Sequence, residues 1–272
     1  STYIYNMYPE TDELHREKIQ NHAVTYIGSL VPTKGFHVLA AVWKTILKEV
    51  PDATLNVVGN GKLYGRNSKL GKYNIAEDSY EKQFMSGLTD DEGNILPSVH
   101  FWGVLGVEKN DVIRNTCVGV VNPTGRTETF GISALDFESM SVPVVTIAKG
   151  GFLDTVLNEK TGLLYGHTDD FAKDIIMLLK NDKLNEQYGR DGVQLCKKFT
   201  PDKIIKEWNR LFLKVLNDEK MEYIEPDSFM ETNLKKYRCL NRKIKNAIGV
   251  EYPISVIGAE SFARNVLRRM GK

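Results

Sequence analysis

The residues best suited to chemistry lie in Asn122-Pro-Thr-Gly-Arg-Thr-Glu128-Thr-Phe-Gly131-Ile-Ser-Ala-Leu-Asp136, a short apolar run ending in a polar turn that opens a helix at about Thr129. A glycine at such a start lets backbone amides approach an anion closely, and the helix dipole favours phosphate there. Glu128 precedes the helix and Asp136 follows eight residues later, so one cleft could have Glu128 at its mouth and Asp136 along its wall. A second stretch, Gly28-Ser29-Leu-Val-Pro-Thr-Lys34-Gly35, ends another apolar run and offers an ammonium to a phosphate. Taken singly, a capping glutamate, a solvated helix aspartate and a surface lysine would account for all of them.

Those stretches need a scaffold. The β-branched run at 24–28 is followed by a stripe of helical period, Phe36, Leu39, Val42, Trp43, Ile46, Leu47 and Val50, and then by a second run at 55–58. Further apolar runs at 99–102, 117–121, 142–147 and 162–164 are each separated by enough chain for a helix. That alternation predicts a Rossmann-like α/β fold, a parallel sheet with helices on both faces. The polar region between Gly61 and Val99 reads as one helix at 79–85 and two mobile loops. Helical patterns follow at 170–179, 184–196 and 201–216. Domain organisation is read as a sheet-bearing domain, 1–217, and a basic helical C-terminal extension, 218–272.

Composition agrees with a globular protein. Of 272 residues, 42% are hydrophobic and 26% charged, and no apolar run is long enough to span a bilayer. The start Ser-Thr-Tyr-Ile-Tyr lacks a signal-peptide pattern, so a cytoplasmic location is expected. Cys117, Cys196 and Cys239 are widely spaced and read as free thiols, with Cys117 in the core. Residues 233–272 carry ten Lys or Arg against two Glu. With helical stretches at 234–248 and 259–270, that segment suits docking on an anionic membrane surface at the inner face, or simply a solvated face or packing on another domain. Without interleaved aromatics, nucleic acid is not an expected partner.

The order and spacing of nine blocks resemble the C-terminal, nucleotide-sugar-binding domain of family-4 retaining glycosyltransferases, enzymes of the GT-B fold. The blocks are Tyr26-Ile-Gly28 with Lys34-Gly35, Val50-Pro-Asp-Ala53, Val58-Gly-Asn-Gly61, Phe101-Trp-Gly103, Asn122-Pro-Thr124, Glu128-Thr-Phe-Gly131, Pro143-Val-Val145, Gly150-Gly151 and Thr161-Gly-Leu-Leu164. The resemblance implies retaining transfer of a hexose from a nucleotide diphosphate sugar, in polysaccharide biosynthesis, to a sugar or lipid-linked glycan, without metal or other cofactor. It implies that Lys34, beside Gly28 and Ser29, holds the donor diphosphate with amides of Phe130, Gly131 and Ile132, and that Thr129 belongs to the same donor-binding stretch. Glu128 would orient the donor sugar, Asp136 would bond the nucleotide ribose, and Gly103, Val104 and Leu105 would meet the base. Glu128 and Lys34 are thus the expected catalytic pair.

Two positions depart from the family pattern. Ser29 stands where a second cation on the diphosphate is usual, which makes Arg126 the candidate substitute, and Asp136 stands where glutamate is usual, one methylene shorter. The resemblance begins at the end of the family's first domain, so the acceptor-binding N-terminal domain is expected to be missing from this chain. A non-catalytic GT-B-like binding or assembly module is the alternative. A nicotinamide-binding protein is a weaker one, because the glycine fingerprint starting at Gly59 is incomplete. A GT-B sugar epimerase would share the fold.

Overall fold

The computed structural model describes residues 7–8, 21–62 and 69–219. The chain divides into two units, Ser1–Glu225 and Pro226–Lys272. The second unit, with the helices expected at 234–248 and 259–270, lies outside the described residues. So do the membrane-docking reading of the basic segment and most of the 218–272 extension.

Six strands form one sheet: β1 (Ala23–Ile27), β2 (Thr54–Val58), β3 (Val99–Gly103), β4 (Val118–Val120), β5 (Val144–Ile147) and β6 (Gly162–Tyr165). Every pairing is parallel, in the order β3-β2-β1-β4-β5-β6. Val24 pairs with Leu55 on one side and Val118 on the other. A strand covered on both faces has no reason to alternate polar with apolar residues, which is why β1 and β4 read as continuous apolar runs.

Helices α1 (Phe36–Glu49), α2 (Asp78–Met85) and α6 (Thr168–Lys180) pack together on one face. On the other, α4 (Ile132–Glu138) packs with α5 (Phe152–Thr155) and α7 (Asp182–Cys196), and Ile113 of α3 (Lys109–Arg114) joins the same apolar cluster. Phe36, Leu39, Ala40, Trp43 and Ile46 form the buried stripe of α1. Each large side chain so buried contributes about 1.5–3 kcal/mol. Asn185 of α7 donates to the Cys117 carbonyl at 2.9 Å, fixing that helix to the start of β4. Cys117 and Cys196 are both buried. The last described helix, α8 (Pro201–Leu216), buries only Ile204. No helix among the described residues is long and apolar enough to cross a membrane.

Two expectations are corrected. Thr129 and Phe130 lie outside α4, because Gly131 sits at φ 85° as its N-cap, a left-handed conformation that cannot continue back into a helix. The described parts of the 61–99 region are also not loose loops. Glu81, 1% exposed, accepts hydrogen bonds from the backbone of Tyr73, Ile75 and Ala76 at 2.7–3.1 Å. Beyond α2, Asp90 caps the following turn by accepting from Glu92 and Asn94.

Candidate functional site

In an open parallel sheet the chain leaves neighbouring strands in opposite directions where the order reverses, and this opens a crevice at their carboxyl ends. Here the reversal falls between β1 and β4. The turns leaving those strands carry the two stretches singled out by composition, so topology brings Lys34 and Glu128 together from positions 94 residues apart.

The turn after β1 is held from below. Fully buried Tyr26 donates its hydroxyl to the Lys34 carbonyl at 2.9 Å, and burial pushes its phenol pKa well above the ordinary range. Gly28 packs so closely on that ring that a Cβ would come within 2.8 Å of the hydroxyl. Pro32–Lys34 forms a single 3-10 turn, and Gly35, at φ 72°, redirects the chain into α1. A Cβ at Gly35 would lie 2.7 Å from Thr124, so the two turns are in direct contact. Thr124 Oγ1 is 2.9 Å from both the Thr33 carbonyl and Asn122 Oδ1, and its one proton can serve only one of them at a time. Thr124→Val should therefore loosen the two turns, costing about 1 kcal/mol of stability. Chemical denaturation would read this; an unchanged midpoint would show that the hydroxyl does not join them.

Glu128 is the centre of the second turn. Lys34 Nζ donates to its Oε2 at 2.9 Å, Asn122 Nδ2 donates to the same oxygen at 3.2 Å, and the Gly131 amide donates to Oε1 at 3.1 Å. With side-chain exposures of 30% for Lys34 and 16% for Glu128, the pair is shielded enough to matter more than a surface ion pair. Asn122 at φ 29° and Thr127 at φ 58° are both in the left-handed region, costly for a β-branched threonine. Strain in the turn that leads to Glu128 is offset by the hydrogen bonds the carboxylate collects. The Glu128 carbonyl is fixed as well, accepting from the Gly151 amide at 3.2 Å. Of the backbone amides expected to meet a diphosphate, that of Gly131 is thus already given to Glu128. Phe130 is buried edge-on against Phe199, Thr129 is exposed, and Ile132 begins α4 at 49% exposure.

Asp136 is not solvated. It is 8% exposed, receives Lys109 Nζ on Oδ2 at 2.9 Å and lies 3.1 Å from the Tyr8 hydroxyl through Oδ1. Tyr8 also lies 3.1 Å from Ser139 Oγ, and its backbone amide donates to the Phe199 carbonyl. Two residues on, Glu138 points elsewhere, into the interior. The end of β3 is open: a Cβ on Gly103 would meet nothing within 4 Å, Val104 is 60% exposed and Leu105 is half-buried. Ser29 is half-buried, and Arg126 is exposed in the turn before Glu128. The imidazole of His37, in the first turn of α1, has a lowered pKa, from burial first and then from the nearby Arg126 charge. No group of three or more His, Cys, Asp or Glu that could hold a metal ion occurs among the described residues.

Lys109 and Tyr8 escape the sequence reading, because each reaches Asp136 across a long separation that no local spacing marks. Asn122 and Tyr26 stand in the blocks of the resemblance, but no local spacing marks their hydrogen bonds to Glu128 and to the Lys34 carbonyl.

Residues 10–194 match the family described as glycosyl transferases group 1. The chain belongs to that family. Among curated relatives, the capsular polysaccharide biosynthesis glycosyltransferase CapM of Staphylococcus aureus is 26% identical over 183 residues, 66% of this chain and 43% of the relative. The chain spans less than half the length of the first curated relatives it matches. Among solved structures, a TarM mutant of S. aureus in complex with fondaparinux, α-GlcNAc-glycerol and UDP superposes with a TM-score of 0.61 at 19% identity, covering 77% of this chain and 38% of TarM. The C-terminal domain of the group 1 family protein LpcC from Francisella tularensis gives a TM-score of 0.54 at 19% identity, over 72% of this chain and 96% of that domain. At such identities these likenesses establish the Rossmann-like fold shared with GT-B proteins.

Proposed function

We propose that this chain supplies the nucleotide-sugar-binding, C-terminal domain of a retaining glycosyltransferase of the family-4 type, with the acceptor bound by another domain. The observation that carries the reading is the Lys34–Glu128 pair in the crevice where strand order reverses. Lys34 is placed to take the donor diphosphate, and the α4 start to share it through Ile132. Glu128 orients sugar hydroxyls through oxygens already fixed by Asn122 and Gly131. In retaining transfer the acceptor hydroxyl attacks from the face the diphosphate leaves, and stabilising the departing oxygens does much of the work. Arg126 adds the cation that Ser29 lacks. Asp136 faces the ribose, and Gly103, Val104 and Leu105 the base.

The LpcC domain supports the C-terminal assignment, since this chain matches nearly all of it. The UDP complex of TarM supports a nucleoside diphosphate leaving group. A hexose donor, a sugar or lipid-linked glycan acceptor, a metal-independent reaction and work at the cytoplasmic face of a membrane belong to the same reading. The last of these rests only on the basic composition of 233–272. A non-catalytic binding module is favoured by one observation, Ser29 in place of a phosphate-binding cation.

Titration calorimetry of the 272-residue chain with UDP-, GDP- and ADP-sugars, with and without EDTA, tests the site. One donor should bind, unaffected by EDTA. Failure of all three to bind would remove the donor-domain reading, and binding abolished by EDTA would remove its metal independence.

A further inference from the structure

Resting on the donor-site reading above, we infer that Lys109 is a specificity-determining residue of the site, reading the ribose of the nucleotide jointly with Asp136. The contact is built across two elements: Lys109 opens α3, just after the open Gly103 strip, while Asp136 lies one turn into α4. Their Nζ–Oδ2 distance is 2.9 Å, with side-chain exposures of 26% and 11%. The more exposed member of the pair is the lysine. Asp136 is recessed, and a ligand at the sheet's carboxyl edge meets the ammonium at least as readily as the carboxylate.

The hydrogen-bond inventory explains why a lysine belongs there. Ser139 donates its hydroxyl to the Asp136 carbonyl at 3.1 Å, so the Tyr8 proton goes to the better acceptor, Asp136 Oδ1. One carboxylate oxygen is thus shared with Tyr8 and the other with Lys109. An ammonium carries three N–H donors, of which one is committed to Asp136. A ribose diol presents lone pairs as well as hydroxyl protons. A lysine–aspartate pair answers both, with Lys109 donating to a ribose oxygen and Asp136 accepting a ribose proton. The lysine also extends outward from a carboxylate that is shorter than glutamate and held back by Tyr8. A hydrogen bond from an ionised donor in such a setting contributes about tenfold or more in affinity.

The test compares UDP, GDP and ADP with their 2′,3′-dideoxy counterparts by calorimetry on the 272-residue chain and on Lys109→Met and Lys109→Arg. The wild type should prefer the ribo form by roughly 10- to 100-fold, the joint effect of the two groups. Lys109→Met should lose about tenfold of that preference, keeping only the share that Asp136 supplies by accepting a ribose proton. Lys109→Arg should recover most of the preference. Thermal melting of each variant reads the structural contribution of the pair separately. A Lys109→Met protein that keeps the wild-type ribo preference, or that loses affinity for both forms alike, overturns the inference. So does a wild-type preference near unity, which leaves donor binding intact. Absence of binding by any diphosphate overturns the inference and the donor-site reading together.

Discussion

Lys34→Met should lower the affinity of the bound nucleoside diphosphate by roughly 10- to 100-fold, the worth of a charge-assisted hydrogen bond in a partly shielded site. In the complete enzyme, transfer should fall further, by roughly 10²- to 10³-fold, because the leaving diphosphate gains most charge in the transition state. The substitution also leaves Glu128 without its lysine. Asn122 and the Gly131 amide still donate to that carboxylate, so the cost to folding should stay near 1 kcal/mol. That separation makes the experiment readable. Calorimetry with the diphosphate and with the corresponding nucleoside should show a loss for the first and little for the second. Equal affinity of variant and wild type for the diphosphate would take Lys34 out of the donor site and reduce it to a partner of Glu128.

The same pair shows how far the sequence carries. Strands buried on both faces leave continuous apolar runs, and the α1 stripe from Phe36 to Ile46 recurs at helical spacing, so the sheet and its first helix were legible. The Lys34 and Glu128 stretches were legible because each ends a strand and carries its own turn chemistry. Their direct contact was not, since it depends on which strands are neighbours. The environment of Asp136 was hidden for the same reason: Lys109 and Tyr8 come from 27 and 128 residues away. The start of α4 was misplaced by three residues because composition does not distinguish a glycine inside a first turn from one that caps it. Glu81 is not singled out by the sequence, yet it organises the turn before α2 by taking three backbone amides.

Glu138 is the other charge whose place the sequence conceals, and replacing it should stabilise the protein. The side chain is fully buried, facing Gly192 of α7 across a distance that leaves no room for water at that contact. Thr161 donates to Oε1 at 2.6 Å, while Oε2 has no hydrogen-bond partner. Burial pushes the carboxyl pKa well above its ordinary 4.5, with the Thr161 hydrogen bond opposing, and the thiol of nearby Cys196 is pushed up by burial first and then by the charges of Glu138 and Asp136. The folded state thus keeps a proton that the unfolded chain releases above pH 4.5. Stability from this group is complete below that pH and falls as pH rises toward the folded pKa, at about 1.4 kcal/mol per pH unit. Asp174 contributes with the same sign, but only up to its own pKa of about 6, where burial and then Asp170 have placed it. His37 contributes with the opposite sign, its pKa being lowered. Both cancel when a variant is compared with the wild type at each pH. Glu138→Met fills the site without a carboxylate, while Thr161 loses an acceptor worth about 1 kcal/mol but still accepts from the Leu157 amide. The stability of the variant relative to wild type should therefore rise from pH 5 to pH 8, with the variant the more stable at pH 8. Denaturant titrations across that range measure the difference directly. A stability difference that stays flat from pH 5 to pH 8 would mean that Glu138 ionises in the fold as freely as in the unfolded chain.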